Sequence, residues 1–210
     1  MNRMMVYYFM FEFVESDLFN TFLHDHSYVQ ESSEALKLYK MAVSIYRDTY
    51  GDDSLIVARM LNQVGLSASL SHSTENLDWA LLALKEAIHI RLKYLGPHHV
   101  DVVDTMNNIA GVFLHKREME VAKELYADVM LVRAYIFGKD HPSVAVTAQT
   151  LGKVYTRLSD FQNAMKHYEL ALEIYQGEVM KLASSHPLVV KVRDELVRVE
   201  RIVMVGRNAR

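Results

Sequence analysis

Histidine and tyrosine are the residues of this 210-residue chain whose number invites chemistry: ten and twelve of them, with no cysteine. Without a thiol there is no cysteine nucleophile, no disulfide framework and no cysteine-based zinc site. Two histidine pairs suggest a metal, His24-Asp25-His26 and His98-His99. Neighbours on a helix point about 100° apart, so His98 and His99 do not present both rings to one ion. His24 and His26 stand in a polar stretch and read as solvated. His99, His141 and His186 recur at matching places, each just ahead of a helical stretch. A histidine that returns with a structural period reads as a capping or packing residue of a turn, not a ligand. The chain contains no Gly-x-x-x-x-Gly-Lys, no Gly-x-Ser-x-Gly and no His-Glu-x-x-His, so phosphate cradle, nucleophile elbow and zinc protease all lack their signature. No catalytic residue, metal or cofactor is expected. The tyrosines at 126, 155, 168 and 175 fall on a packing register and read as core.

Composition narrows the partners. Half the residues are hydrophobic and 23% charged, which is globular rather than disordered. Basic and acidic residues number 23 and 26, a formal charge of −3, so nothing attracts nucleic acid non-specifically. The longest apolar run, Met4–Phe11, is closed by Glu12 and falls short of the roughly 18–20 residues that span a bilayer. Only Arg3 precedes it and no small-residue cleavage site follows, so an export signal is not expected. The spacing of Val6, Phe9, Phe13 and Val14 reads instead as one side of a helix packed on the body. A cytoplasmic, non-membrane protein is expected.

The elements that hold these residues repeat. Gly51–Val57, Gly96–Val102, Gly138–Val144 and, more weakly, Ser185–Val189 line up, with the valine spaced by 45, 42 and 45 residues. Val64-Gly65, Ile109-Ala110 and Leu151-Gly152 follow in step. Then come Ala35, Ala80, Ala122 and Ala164, each with Tyr39, Leu84, Tyr126 or Tyr168 four residues on and Ala42, Ala87, Val129 or Ala171 seven on. Three marks in register over more than three periods imply a stack of like units.

Each unit reads as two helices. Val144, Thr147, Ala148, Leu151 and Tyr155 make one helical face, and Ala164, Tyr168, Ala171, Leu172 and Tyr175 the other. Pro142 and Pro187 suit a first helical position, where the missing N–H is no loss. Gly51, Gly96 and Gly138 stand just past a helix, where a left-handed closing residue is cheapest as glycine. Residues 70–77 insert three extra residues between the helices of one pair and read as a polar surface loop; Gly177–Ser185 reads as a lengthened helix or turn. Trp79 begins a second helix, where packing is the expected role and an exposed indole would anchor a partner. The fold class is all-α, a right-handed superhelical solenoid of antiparallel helix pairs. Its parts are a divergent helical segment 1–29, a solenoid over 30–203 with three full pairs between a leading helix (30–49) and a closing helix (186–203), and a basic tail 204–210.

Gly138-Lys-Asp-His-Pro-Ser-Val-Ala145, Val103–Ala110, Ala122-x-x-x-Tyr126 and Ala164-x-x-x-Tyr168-x-x-Ala171-Leu-x-x-Tyr175 together resemble the tetratricopeptide repeat, in the form of about 42 residues found in kinesin light chains. The resemblance covers about residues 30–200. It implies a scaffold that holds peptide segments of partner proteins in a concave groove lined by the first helix of each pair. A kinesin heavy chain would join through a heptad coiled coil, which residues 1–29 are too short to supply.

The groove positions implied by the resemblance carry Arg59, Asn62 and Gln63, then Asp104, Asn107 and Asn108, then Gln149, Lys153 and Arg157. Asn62, Asn107 and Gln149 are equivalent by repeat, and an amide can both donate to and accept from an extended ligand's backbone. Arg59, Lys153 and Arg157 favour an acidic peptide, with Asp104 among them opposing it. Two other readings stand beside this one. The runner-up is a fragment of a larger tetratricopeptide-bearing enzyme or receptor. A co-chaperone that grips an acidic chaperone tail would need lysines beside the asparagines, and these are missing.

Overall fold

The computed structural model describes residues 29–70 and 73–208; the readings at Met4–Phe11, Phe13, Val14, His24 and His26 lie outside them. The described residues form eight helices and no strand: α1 Val29–Tyr50, α2 Leu55–Ser69, α3 Thr74–Leu95, α4 Val100–His115, α5 Met119–Phe137, α6 Pro142–Arg157, α7 Phe161–Gln176 and α8 Pro187–Asn208. Each packs on its neighbours in sequence, with α2–α3, α4–α5 and α6–α7 as the pairs, α1 leading and α8 closing. The first helices α2 and α4 also touch across the repeat boundary, which places the first helices inside the curve of the stack.

The start of each first helix shows why the histidines recur. Ser54 Oγ accepts from the Val57 N–H at 3.3 Å. One period on, His99 Nδ1 accepts from the Asp101 N–H at 3.1 Å, and His141 Nδ1 from Ser143 at 3.2 Å. His186 Nδ1 does the same for Leu188 at 3.3 Å. One repeat position therefore satisfies one orphan helix donor four times over. His141 is further held by stacking on Phe137, with ring centroids 4.6 Å apart.

The glycines that end α3 and α5 take positive φ, 77° at Gly96 and 92° at Gly138, but with ψ of 168° and 151°. That is the extended, glycine-only region rather than the left-handed helical closure expected from sequence, and it sends the chain outward into the next cap. Within the segment 70–77, residues 74–77 depart from the reading as a loop. Ser73 Oγ accepts from the Asn76 N–H and Thr74–Leu77 form the first turn of α3. Leu77 is buried there, so burial of one leucine extends the helix into the insert. The closing helix likewise runs past Val203 to Asn208, through most of the stretch read as a tail, and no proline interrupts it. Gly177–Ser185 is a turn segment after α7.

Inside each pair, small residues let the axes close. Ala80, Ala122 and Ala164 are fully buried. A Cβ on Gly65 would lie 2.4 Å from Leu84, and one on Gly152 2.7 Å from the Tyr168 ring, so the residue four after each alanine occupies the space the glycine leaves. Tyr126, Tyr168 and Tyr175 are buried, and burial pushes the Tyr126 hydroxyl up to about 12. Tyr155 is half-buried and stacks on His167.

Between pairs a second code operates. Arg91 on α3 donates to Thr105 Oγ1 at 2.6 Å and to the Asp101 carbonyl at 2.8 Å, both on α4. Forty-two residues later Arg133 on α5 donates to Thr147 Oγ1 on α6 at 2.8 Å. At the outer boundaries the same position holds Tyr46 and Tyr175. Tyr46 packs on the cluster containing Met60, and Tyr175 shares a cluster with Val192. Polar meets polar in the middle of the stack and apolar meets apolar at its ends.

Candidate functional site

The concave face is built from α2, α4, α6 and α8. Their apolar stripes turn toward the second helices, so their polar residues line the inner surface. Asn62 and Asn108 meet across the α2–α4 boundary, Asn108 Nδ2 donating to Asn62 Oδ1 at 3.1 Å. The repeat equivalence of Asn62 with Asn107 does not predict this, because adjacent first helices are offset and a neighbour comes into reach instead of the equivalent residue. Asn107 is half-buried and makes no hydrogen bond among the described residues, leaving its amide available. Gln63 is half-buried, and its Oε1 is shielded from solvent without a hydrogen-bond partner. Arg59 is exposed and engaged in a contact within the chain. Gln149 is buried to 7% exposure, so at this third position the amide lies beneath the surface rather than on it.

Asp104 does not stand as a bare negative charge. Arg133 Nη2 bonds its Oδ1 at 2.9 Å, and the Arg91 guanidinium also feels its charge. Arg133 is only 11% exposed and belongs to the outer helix α5. A reading of first helices alone misses it; its spacing of 42 residues from Arg91 is the signal that would have found it.

Toward α8 the face becomes cationic. Lys153 and Arg157 on α6 lie near Lys191 and Glu195 of α8, and Arg198 joins them around Tyr168. Burial lowers the Lys153 ammonium below its ordinary value; the charges of Lys191 and Arg157 add to this and Glu195 opposes it. Among the described residues, Lys153, Arg157, Lys191 and Arg198 close no ion pair. Four cations gather here, with Glu195 among them and Asp194 beside Arg198, and cations in excess over carboxylates raise the local potential. Lys191 and Arg198 escape a sequence reading that treats α8 only as a cap.

Among the described residues no cluster of three or more His, Asp or Glu could hold a metal ion, and no helix is long and apolar enough to cross a membrane. The histidines that recur are committed to caps.

Comparison with known proteins agrees with the fold. The tetratricopeptide repeat family model matches residues 101–177, which span α4 through α7. A crystal structure of nearly identical TPR-like repeats, from a Podosopora anserina protein named for kinesin light chain, superposes with a TM-score of 0.70 at 20% identity, covering 87% of this chain and 84% of that one. BtubC (BKLC) from P. vanneervenii superposes with a TM-score of 0.68 at 19% identity, over 82% of this chain and 66% of the other. By sequence, the Homo sapiens protein called clustered mitochondria protein homolog is 24% identical over 183 residues, 84% of this chain. Its Danio rerio counterpart matches at the same identity over the same share. The chain spans 14% of the human relative's length and 13% of the fish one's. Tetratricopeptide stacks are interaction scaffolds that bind other proteins. Residues 101–177 are therefore tetratricopeptide repeats, and the helices on either side continue the same solenoid fold.

Proposed function

We propose that the concave face holds an extended acidic peptide segment of a partner protein. The observation that carries this is the unpaired cluster of Lys153, Arg157, Lys191 and Arg198 at the α6–α8 end. An acidic side chain docks there by charge-assisted hydrogen bonds. The ligand backbone then runs along Asn107, Asn108, Asn62 and Gln63, with Arg59 at the far end and Gln149 supporting from below. Asp104, neutralised by Arg133, does not repel it. The chain acts as an adaptor and not as an enzyme.

The test is fluorescence anisotropy with a labelled glutamate-rich peptide and its glutamine counterpart. The acidic probe binds, and Arg157→Glu weakens it at least tenfold; an Asn62→Ala plus Asn107→Ala variant that folds normally weakens it further. Equal binding of both probes, or full affinity in Arg157→Glu, overturns the reading.

A process-level reading follows from the relatives named for clustered mitochondria, whose alignment spans 84% of this chain: the partner belongs to machinery that distributes mitochondria. Depletion of the chain in its own cells should then change mitochondrial spacing. If the spacing stays normal while a kinesin heavy chain co-purifies, the motor-adaptor reading takes its place.

A further inference from the structure

On the opposite, outer side of the stack, α1 and α3 each pack on α2 and leave a groove of about 410 Å³ between them. That volume is within the range of clefts that take up ligands, roughly 300–1,000 Å³. Its floor is apolar, formed by Val43, Leu61, Val64 and Ala83. Trp79 and Leu82 of α3 rise from it, 42% and 65% exposed. Lys40 of α1 lies over the indole, 3.9 Å from the ring centroid.

The repeat does not call for these two residues. The position of Leu82 is occupied by Lys37, Glu124 and Lys166 in the other second helices, all charged and exposed. The position of Trp79 holds Val121 and Asn163 in the two following repeats. Packing of the solenoid is served without an indole or an outward leucine, so a second requirement put them there.

The charges around the groove indicate what would fill it. Arg47 binds Glu86 at 2.5 Å and lies 3.5 Å from Asp52 through Nε, which itself has no hydrogen bond. One guanidinium is thus shared by two carboxylates. Asp48, exposed on the same helix, closes no ion pair among the described residues. These acids cluster at the C-terminal end of α1, where the helix dipole adds negative potential. An apolar floor with an under-neutralised acidic end complements a segment that offers an apolar side chain beside a lysine or arginine.

We propose that the groove between α1 and α3 is a second docking site, which takes a short amphipathic basic segment of a partner protein. Its apolar side chain seats against Trp79 and Leu82, and its cation meets Asp48 and Asp52. The two faces of the stack then select ligands of opposite charge, so that one chain joins two partners.

Trp79 is the only tryptophan, and its emission reads this groove directly in the full chain. The probes are a short amphipathic leucine–lysine peptide and the same peptide with glutamate in place of lysine. The lysine peptide is expected to shift the emission saturably and the glutamate peptide to leave it unchanged. Leu82→Lys restores the kind of residue found at this position elsewhere in the stack; at an exposed site it should fold as the parent does, and it should weaken the lysine peptide at least tenfold. Asp48→Asn plus Asp52→Asn should weaken it severalfold. Equal responses to both peptides, or undiminished binding by Leu82→Lys, overturns the proposal. So does a parent dimer that Leu82→Lys converts to monomer, since a second copy would then own the groove. Because Arg157→Glu leaves this groove intact, failure here and failure of the acidic-peptide reading are separately visible.

Discussion

A histidine can cap a helix only as a neutral ring, because Nδ1 must keep its lone pair to accept the backbone N–H. At His141 that acceptor serves Ser143, and the ring is steadied by Phe137. His141→Ala removes the acceptor and should cost about 1 kcal/mol. His141→Asn supplies another short-range acceptor and should keep most of the stability. Thermal unfolding of the three proteins decides it: equal melting of the alanine and asparagine variants would assign the position to ring packing instead. The same reasoning explains why Ser54 stands where the other repeats have histidine. Serine reaches an N–H of the first turn with one oxygen and needs no stacking partner.

At the scale of helices, the boundary between pairs is where this stack has two solutions. In the middle, Arg91 and Arg133 reach to Thr105 and Thr147. At the ends, Tyr46 and Tyr175 meet clusters that contain Met60 and Val192. A hydrogen bond to a charged group contributes roughly 1.5–3 kcal/mol when its partner is removed. Arg133→Met alone should therefore destabilise by about that amount. Arg133→Met with Thr147→Val recreates the apolar pairing of the outer boundaries and should recover much of the loss. A double-mutant cycle from urea unfolding measures the coupling, expected at about 1 kcal/mol or more between contacting groups. Additive losses would show that the two side chains act independently.

For the whole molecule, the cationic end of the concave face sets ligand binding against stability. Lys153 has a lowered folded pKa, from burial first and then from Lys191 and Arg157. The folded state therefore binds fewer protons than the unfolded state over the window between that lowered value and the ordinary 10.5. The penalty for charging Lys153 is present at neutral pH and is relieved as the pH rises from the folded pKa toward 10.5. Lys153→Met should remove this pH dependence and raise stability at neutral pH. The same variant should weaken a glutamate-rich peptide. Urea unfolding at neutral and alkaline pH, beside peptide anisotropy, tests both. A variant that loses stability would show that the ammonium is already compensated within the chain.

The repeat itself was legible because packing forces periodicity: a small residue, a bulky one four later and a compact apolar one seven later recur where two helices cross closely. Ala80, Ala122 and Ala164, the histidine caps and the prolines at helix starts all follow from local or nearest-neighbour geometry. The insert at 70–77 was less legible, since its polar letters hide the single Leu77 that the core draws in. What needed the tertiary structure were the contacts between units. Helix offset pairs Asn62 with Asn108 rather than with its repeat equivalent. Arg133 crosses from an outer helix to neutralise Asp104, and α8 brings Lys191 and Arg198 beside Lys153. Trp79, read as a packing residue, stands open at a groove formed by two helices that do not adjoin in sequence. Periodicity within a unit is written along the chain, whereas the angle and offset between units are set by how their surfaces fit. For this protein the sequence alone determined the stack; the tertiary structure decided which charges face each other across it.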